Sequence, residues 1–525
     1  MFRRRPSRSD LMYWQSESCE NKTTQMKSGR GGNESVSVTG VAQAAKLPIA
    51  QSIAPVACVD LDGTLLATDL LWESLLGFIR QKPLGILLLP FWLLRGRAYI
   101  KERLARSSHL DPEHLPYRES VIKTIAELRL AGATRVVLAT ASHITLARQV
   151  AQHLGIFDEV IATEGKLNLK GKAKADALVE RFGNDFLYIG DSPSDLAVWA
   201  VARQGVVVGS ASLARRAAAL TDVLSVVETD AAGWKTYWKA LRPHHWSKNS
   251  LLLLPLLLAH RWAPIPWGRT LLGMFLFSLA ASGIYILNDL LDLPSDRKHP
   301  WKRHRPFASG SISIAQGAFM SPALLAAAIG LGWYRLGYHF AAATACYCAL
   351  SLAYSLRLKR KPLADVFVLT SFYGIRIVTG ALITRTPLSH WFLIFSMFFF
   401  FSLALAKRYS ELMHARELLG AGNSGRGYRA GDSSLLATMG VASAFAAIIV
   451  LSLYTQSPEV TGLYPHPTPL LLLCPLLLYW QVRIWLQAER GELNEDPVTL
   501  AMRDPMSYKV GIACLICILL TFLWR

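Results

Sequence analysis

Residues Asn288 to Pro306 read N-D-L-L-D-L-P-S-D-R-K-H-P-W-K-R-H-R-P, directly after an apolar run, LLGMFLFSLAASGIYIL, long enough to cross a bilayer. Asp289, Asp292 and Asp296 fall at i, i+3 and i+7, a spacing that puts all three carboxylates on one face of a continuous helix. Arg297, Lys298, Lys302, Arg303 and Arg305 follow. Three carboxylates at a membrane border repel one another and are costly to desolvate, and Mg²⁺ bridging them to a diphosphate relieves both costs. The cations would take the remaining phosphate charge. Basic loops are ordinary on the cytoplasmic side of membrane proteins; three in-phase Asp residues ending an apolar helix are not.

Outward from this stretch, the 525 residues carry a formal net charge of +19, which suits an anionic membrane surface or anionic substrates. Nucleic acid is excluded as a partner, because long apolar runs begin near Leu251 and continue to the end. Nine such segments are expected, at roughly 250–265, 270–290, 317–336, 339–356, 363–384, 389–409, 434–455, 467–487 and 507–524. Lys and Arg concentrate in loops 291–316, 356–362, 407–433 and 488–506, whereas 457–466 has almost none. The positive-inside rule then puts the N-terminus and the Asp-rich loops in the cytoplasm and the C-terminus outside an inner, cytoplasmic membrane. The scattered Cys residues suggest no disulfide framework.

The N-terminal half differs in texture. Residues 1–47 are rich in Ser, Gly and Arg and read as a disordered cytoplasmic tail; no apolar run follows RRRPSR as in a signal peptide. From Pro55 onward, VACVDLDGTLLATD (56–69), RVVLATAS (135–142), LKGKAKADAL (169–178) and FLYIGDSPSDLAVW (186–199) give strand-like runs ending in polar residues, with helical segments between. This is an open parallel α/β sheet with its site at the carboxyl ends of the strands. Asp60 and Asp62 leave the first strand two apart: one carboxylate can attack a phosphate and the other can exchange protons. Thr140 offers a hydroxyl, Lys174 or Lys172 a cation, and Asp191 and Asp195 oxygen ligands for Mg²⁺. The apolar 84–100 stretch, short and broken by Pro90, reads as a hairpin or helix resting on the membrane or as a buried cap core.

D-x-D-G-T at 60–64, the hydroxyl of Thr140, G-x-x-K at 171–174 and G-D-x-x-x-D at 190–195 resemble the haloacid dehalogenase (HAD) superfamily, in the branch near phosphoserine phosphatase. The resemblance implies a Rossmannoid domain over 48–232 with Asp60 as nucleophile, Asp62 as acid/base, and Mg²⁺ held by Asp60, Asp62, Asp191 and Asp195. Over 240–525, N-D-x-x-D-x-x-x-D at 288–296 and Y-S-x-x-L-K at 354–359 resemble the UbiA superfamily of intramembrane prenyltransferases. That resemblance implies an all-α polytopic domain of about nine transmembrane helices that holds Mg²⁺ and a diphosphate on Asp289, Asp292 and Asp296.

One departure narrows the expectation. Asp365 is followed by Leu369 where most members have a further Asp, and Arg376 lies beyond. With LRPHHWSKN, DRKHPWKRHRP, KRYSEL and EDPV, this is most similar to the decaprenyl-phosphate phosphoribosyltransferase branch, which implies phosphoribosyl pyrophosphate (PRPP) as donor and a polyprenyl phosphate as acceptor. Substrate contacts are then expected from Lys248, Asn288, Arg297, Lys302, Arg303, Arg305, Tyr354, Lys359, Arg376, Lys407, Arg408 and Glu411. Asp365 is expected to hold a second Mg²⁺ or orient ribose hydroxyls, with an Asp365–Arg376 ion pair as the plain structural alternative. The fused phosphatase would remove the 5-phosphate of the lipid product. A prenyl diphosphate donor with an aromatic or lipid acceptor is the competing enzyme reading, and a non-catalytic scaffold or carrier the competing class. Homo-oligomerisation stays open.

Overall fold

The computed structural model describes residues 52–523, apart from 108–109, 165–167, 230–231, 261, 420–426, 465, 494–496 and 502. The expected tail over 1–47 and part of the EDPV stretch lie outside the described residues.

Six parallel strands, β1 (Val56–Val59), β2 (Arg135–His143), β3 (Glu159–Thr163), β4 (Phe186–Gly190), β5 (Gln204–Val208) and β6 (Asp222–Val227), line up in the order β3-β2-β1-β4-β5-β6. A sheet covered on both faces explains why these strands read as unbroken apolar runs. Alternate residues serve two cores. Ala57, Val59, Leu138 and Ile189 pack with Val121, Ile125 and Val150 on one face. Val56, Cys58, Val137 and Tyr188 pack with Leu178, Trp199 and Ala217 on the other. The strand order reverses at β1, so the connections leaving the paired strands β1 and β4 turn to opposite sides and open a crevice at their carboxyl ends.

Between β1 and β2 sits a helical cap. Asp69 caps the Leu70–Gln81 helix by accepting from the Leu71 and Trp72 amides. Inside the cap, Phe78, Ile100 and Leu104 form a small core, and the Phe78 and Trp92 rings lie 5.1 Å apart. Its outer side is different: Leu84, Leu87, Phe91 and Leu94 are exposed. The 84–100 stretch begins as a short 3-10 and α segment, Pro83–Leu88 and Leu89–Leu94, with one face toward the cap core and the other exposed.

Eight helices are long and apolar enough to cross a membrane among the described residues, running from Pro264–Leu291 to Pro505–Phe522. The chain is a multi-pass membrane protein. The first of the nine expected segments is not among them. It is a 3-10 stretch, Pro243–Leu253, continued by a short α turn, Leu254–Leu258. It still runs antiparallel to the Pro264–Leu291 helix. Arg242 meets Asp289, Trp246 donates to Ser282 (2.9 Å), Asn249 to Ser278 (2.8 Å), and Leu252 packs with Leu336, Phe340 and Ile383.

The Asp-rich stretch departs from one continuous helix. Pro264–Leu291 ends at Asp292, and a second helix, Leu293–Lys298, begins there. Pro294 causes the break: it has no amide hydrogen for the carbonyl four residues back, and its ring clashes with it.

Two candidate active sites

The first site lies at the β1/β4 crevice. Lys174 is buried with its Nζ 2.9 Å from Asp60 Oδ1, 3.6 Å from Asp195 Oδ1 and 2.8 Å from the Tyr188 hydroxyl, which donates to Asp195 (2.9 Å). Lys172, the other candidate, is exposed. Asp62 faces different partners: it accepts from the Leu70 amide (2.8 Å), Ser142 Oγ (2.6 Å) and Thr140 Oγ1 (3.3 Å). The Thr64 hydroxyl donates to Asp191 (2.9 Å). Gly63 has φ +81°, and a Cβ there would lie 2.2 Å from Asp191 Oδ2. Only glycine allows that approach.

Ligand oxygens of Asp60, Asp191 and Asp195 all lie within 4.8 Å of one another. Asp62, expected among the metal ligands, is not in that group, because Leu70, Ser142 and Thr140 hold its carboxylate. Burial raises Asp60 above the ordinary carboxylate range although Lys174 beside it opposes the shift. Burial, with Asp195 nearby, pushes Asp191 up to about 6. Burial works against the Lys174 ammonium, yet the facing carboxylates Asp60 and Asp195 hold its pKa above the usual value. Two buried carboxylates, Asp60 and Asp195, with the half-buried Asp191 and one ammonium leave an excess of negative charge that a hard divalent cation fits. Ser142 was missed as a site residue, though it stands two residues from Thr140 in RVVLATAS.

The second site lies at the Asp292 break. Asp289 pairs with Arg242 (2.5 Å) and Arg305 (3.2 Å), and Arg305 also reaches Asp296 (2.6 Å). Asp292 turns away to Lys359, which donates at 2.6 and 2.8 Å. Arg242, in the LRPHHWSKN stretch, was missed; its signal was a cation at the membrane border. Asp365, with 0% exposure, is held by Arg408 Nε (2.5 Å) and the Tyr428 hydroxyl (2.5 Å). Arg408 also bonds Glu411 and, at 2.9 Å, the Tyr354 hydroxyl. Tyr354 and Lys359 thus tie the two carboxylate groups together through one short stretch. Leu363, just before Asp365, adopts φ +63°, and its amide donates to Tyr428 (2.9 Å). A non-glycine residue held there costs about 1–3 kcal/mol, which the surrounding bonds must offset.

Three expectations change. Arg376 does not pair with Asp365. Its Nε donates to Asn249 (2.8 Å) and its Nη1 to the Phe372 carbonyl (2.6 Å), with the Phe277, Tyr347 and Tyr373 rings around it. Arg376 lies three turns from Asp365, and Arg408 reaches that carboxylate first. Arg297 turns to the α/β domain, where its Nη2 is 2.6 Å from Glu73 and its Nε donates to the Ala308 carbonyl (3.1 Å). Lys302 and Arg303 sit exposed on a 3-10 turn, Lys302–His304. Asn288 and Lys248 are half-buried in the elements flanking Asp289, and Lys407 is half-buried beside Arg408.

Sequence comparison agrees with both halves. The UbiA prenyltransferase family model matches residues 250–496, and the haloacid dehalogenase-like hydrolase model matches 57–199. The chain belongs to the UbiA prenyltransferase family and carries an N-terminal haloacid dehalogenase-like domain. It is 39% identical over 467 residues to the uncharacterized protein y4nM of Sinorhizobium fredii, covering 87% of this chain and 89% of that one. It is 38% identical to nodulation protein NoeC of Azorhizobium caulinodans, over 54% of this chain and 90% of that one. It is 33% identical to a decaprenyl-phosphate phosphoribosyltransferase of Mycolicibacterium smegmatis, over 42% of this chain and 70% of that one.

Proposed function

We propose that the membrane domain transfers the 5-phosphoribosyl group of PRPP to a polyprenyl phosphate, and that the α/β domain then removes the 5-phosphate from the lipid product. The observation that carries the reading is the set of cations paired one for one with the carboxylates. Arg242, Arg305 and Lys359 face Asp289, Asp292 and Asp296, while Asp365 is closed off by Arg408 and Tyr428. With a metal on the carboxylates these three cations would be released to phosphate oxygens, which a donor with a 5-phosphate as well as a diphosphate, and an acceptor that is itself a phosphate, would use; an uncharged aromatic acceptor would not. The name of the Mycolicibacterium relative agrees with this reading.

Asp289 and Asp296, both on Arg305, would hold Mg²⁺, with Asp292 joining them once Lys359 leaves it, and the metal would supply charge neutralisation for the departing diphosphate. Arg305 and Lys359 pass from carboxylate to phosphate oxygens as substrate binds. A lipid phosphate oxygen attacks ribose C1, the C1–O bond to diphosphate breaks, and diphosphate leaves with the electron pair. The nucleophile is already anionic, so no strong base is needed.

In the α/β domain, Asp60 attacks the 5-phosphorus and Asp62 gives a proton to the departing ribose hydroxyl. Water then hydrolyses the aspartyl phosphate, its proton returning to Asp62. Lys174 and the second Mg²⁺ site of Asp60, Asp191 and Asp195 balance the charge. Both sites face the cytoplasm of an inner membrane, and the antiparallel Pro243–Leu258 segment makes the ninth crossing, leaving the C-terminus outside.

Two substitutions test the division of labour. Asp292→Ala should abolish transfer and leave hydrolysis of a soluble phosphate ester intact; Asp60→Asn should do the reverse. Loss of both activities in either folded variant contradicts two separate sites.

A further inference from the structure

The phosphatase carboxylates open into a cavity of about 1340 Å³. Pockets for ordinary small ligands run to roughly 300–1,000 Å³, so this one exceeds what a free sugar phosphate fills. Its walls come from three places. Asp60, Lys174 and Arg118 make the charged end. Leu71, Trp72, Leu75, Leu89 and Leu93 of the cap make an apolar lane. Facing them is a stretch of the membrane domain, 309–316, which runs into the membrane-spanning helix Ile314–Leu336.

That third wall is fixed in place. Gly310 has φ +76° and packs so closely on the Asp60–Asp69 loop that a Cβ would lie 2.4 Å from the Ala67 carbonyl oxygen. Gln316 donates to the Tyr237 hydroxyl (3.1 Å) and completes a capping box with Ser313. Leu89 and Leu93 of the lane share the Leu89–Leu94 helix with the exposed Phe91 and Leu94, and the wall runs into the membrane span Ile314–Leu336. The cavity thus has a phosphate end and an apolar cap side, and its third wall leads into a membrane span.

We infer that the phosphatase pocket selects a phosphate monoester carried on a membrane lipid, its chain lying along Leu71, Trp72, Leu75, Leu89 and Leu93 against the 309–316 wall. The headgroup rests on the function proposed above; the selection of the chain does not. A soluble sugar phosphate would reach the same carboxylates but leave the lane bare, and apolar surface gains by being covered.

The test uses the full-length protein in lipid nanodiscs and two synthetic substrates, farnesyl and methyl 5-phosphoribosyl 1-phosphate, with release of orthophosphate as readout. The farnesyl compound should have a kcat/KM at least about 100-fold the larger, given the gain per buried methylene. Leu93→Asp, at a residue 58% exposed, and Ser311→Asp, on the opposite wall, should each lower the farnesyl-to-methyl ratio at least about tenfold. A ratio near one in the native protein, or ratios in both variants unchanged within twofold, overturns the inference and leaves the proposed function standing. Farnesyl phosphate and methyl phosphate separate the two claims. Chain preference with this pair, and no hydrolysis of either phosphoribosyl compound, rejects the headgroup and keeps the lane. Release from none of the four overturns both.

Discussion

Glu73→Ala should open the contact between the two domains without touching either set of catalytic carboxylates. Glu73 and Arg297 are 8% and 6% exposed, with oxygen and nitrogen 2.6 Å apart. Removing one member of a buried pair costs about 3–5 kcal/mol, because the other charge stays buried. Two features lower that figure: Arg297 keeps its bond to the Ala308 carbonyl, and both side chains border a cleft of about 680 Å³ that water can enter. About 3 kcal/mol is the expected loss, which is roughly 100-fold in an opening equilibrium. The assay is hydrogen exchange of the Leu293–Lys298 amides in nanodiscs, which reports local opening. Exchange there should accelerate roughly 100-fold, while Glu73→Leu combined with Arg297→Met should return to within about tenfold of the native rate, since apolar replacement of a whole pair is often neutral. Arg297→Met alone should repeat the opening with little change in the KM for PRPP. Acceleration under threefold in Glu73→Ala, or a large rise in KM with native exchange in Arg297→Met, would refute the interface role and return Arg297 to the phosphate contacts.

Gly63→Ala should lower hydrolysis at least about 100-fold and spare transfer, because the new methyl collides with the Asp191 carboxylate; both activities in nanodiscs are the check. Asp365→Asn should destabilise the protein by about 2–3 kcal/mol, since Arg408 keeps Glu411 and Tyr354 but loses its buried partner, as read by thermal unfolding in detergent. Arg376→Gln should lower transfer at least tenfold with a smaller loss of stability, because no carboxylate is left behind; an equal loss of stability would make it a packing residue. Removing Mg²⁺ with a chelator should stop both reactions, and re-addition should restore them; activity that persists in chelator would contradict both metal sites.

The α/β half was legible because its chemistry follows strands that announce themselves. Asp60, Thr140 and Asp191 each end an apolar run of four to six residues, and a parallel sheet brings strand ends together whatever lies between. The choice of Lys174 over Lys172 was not legible, since it depends on which face of the Lys172–Phe182 helix meets Tyr188. In the membrane half, the Asp spacing located the site but not its geometry. Reading i, i+3, i+7 as one face assumes an unbroken helix, and Pro294, visible in the same stretch, was the sign that it breaks. Pairings across the chain were beyond reach. Arg242 with Asp289, Arg408 with Asp365 and Arg297 with Glu73 span 47, 43 and 224 residues, and charge alone does not choose among so many cations. The 3-10 segment was hidden as well, because its apolar content resembles that of an α-helix while its polar anchors, Trp246 and Asn249, find partners only in the folded bundle.

In the proposed function one chain first makes a phosphoribosyl lipid and then dephosphorylates it. The most direct measurement incubates the purified protein with Mg²⁺, polyprenyl phosphate and PRPP labelled in the ribose. Label should appear in the organic phase, first in a lipid carrying the 5-phosphate and then in a less charged one, with the first accumulating in Asp60→Asn. No label in the lipid, from a folded protein that does transfer a prenyl group from a labelled prenyl diphosphate, would contradict the proposed function.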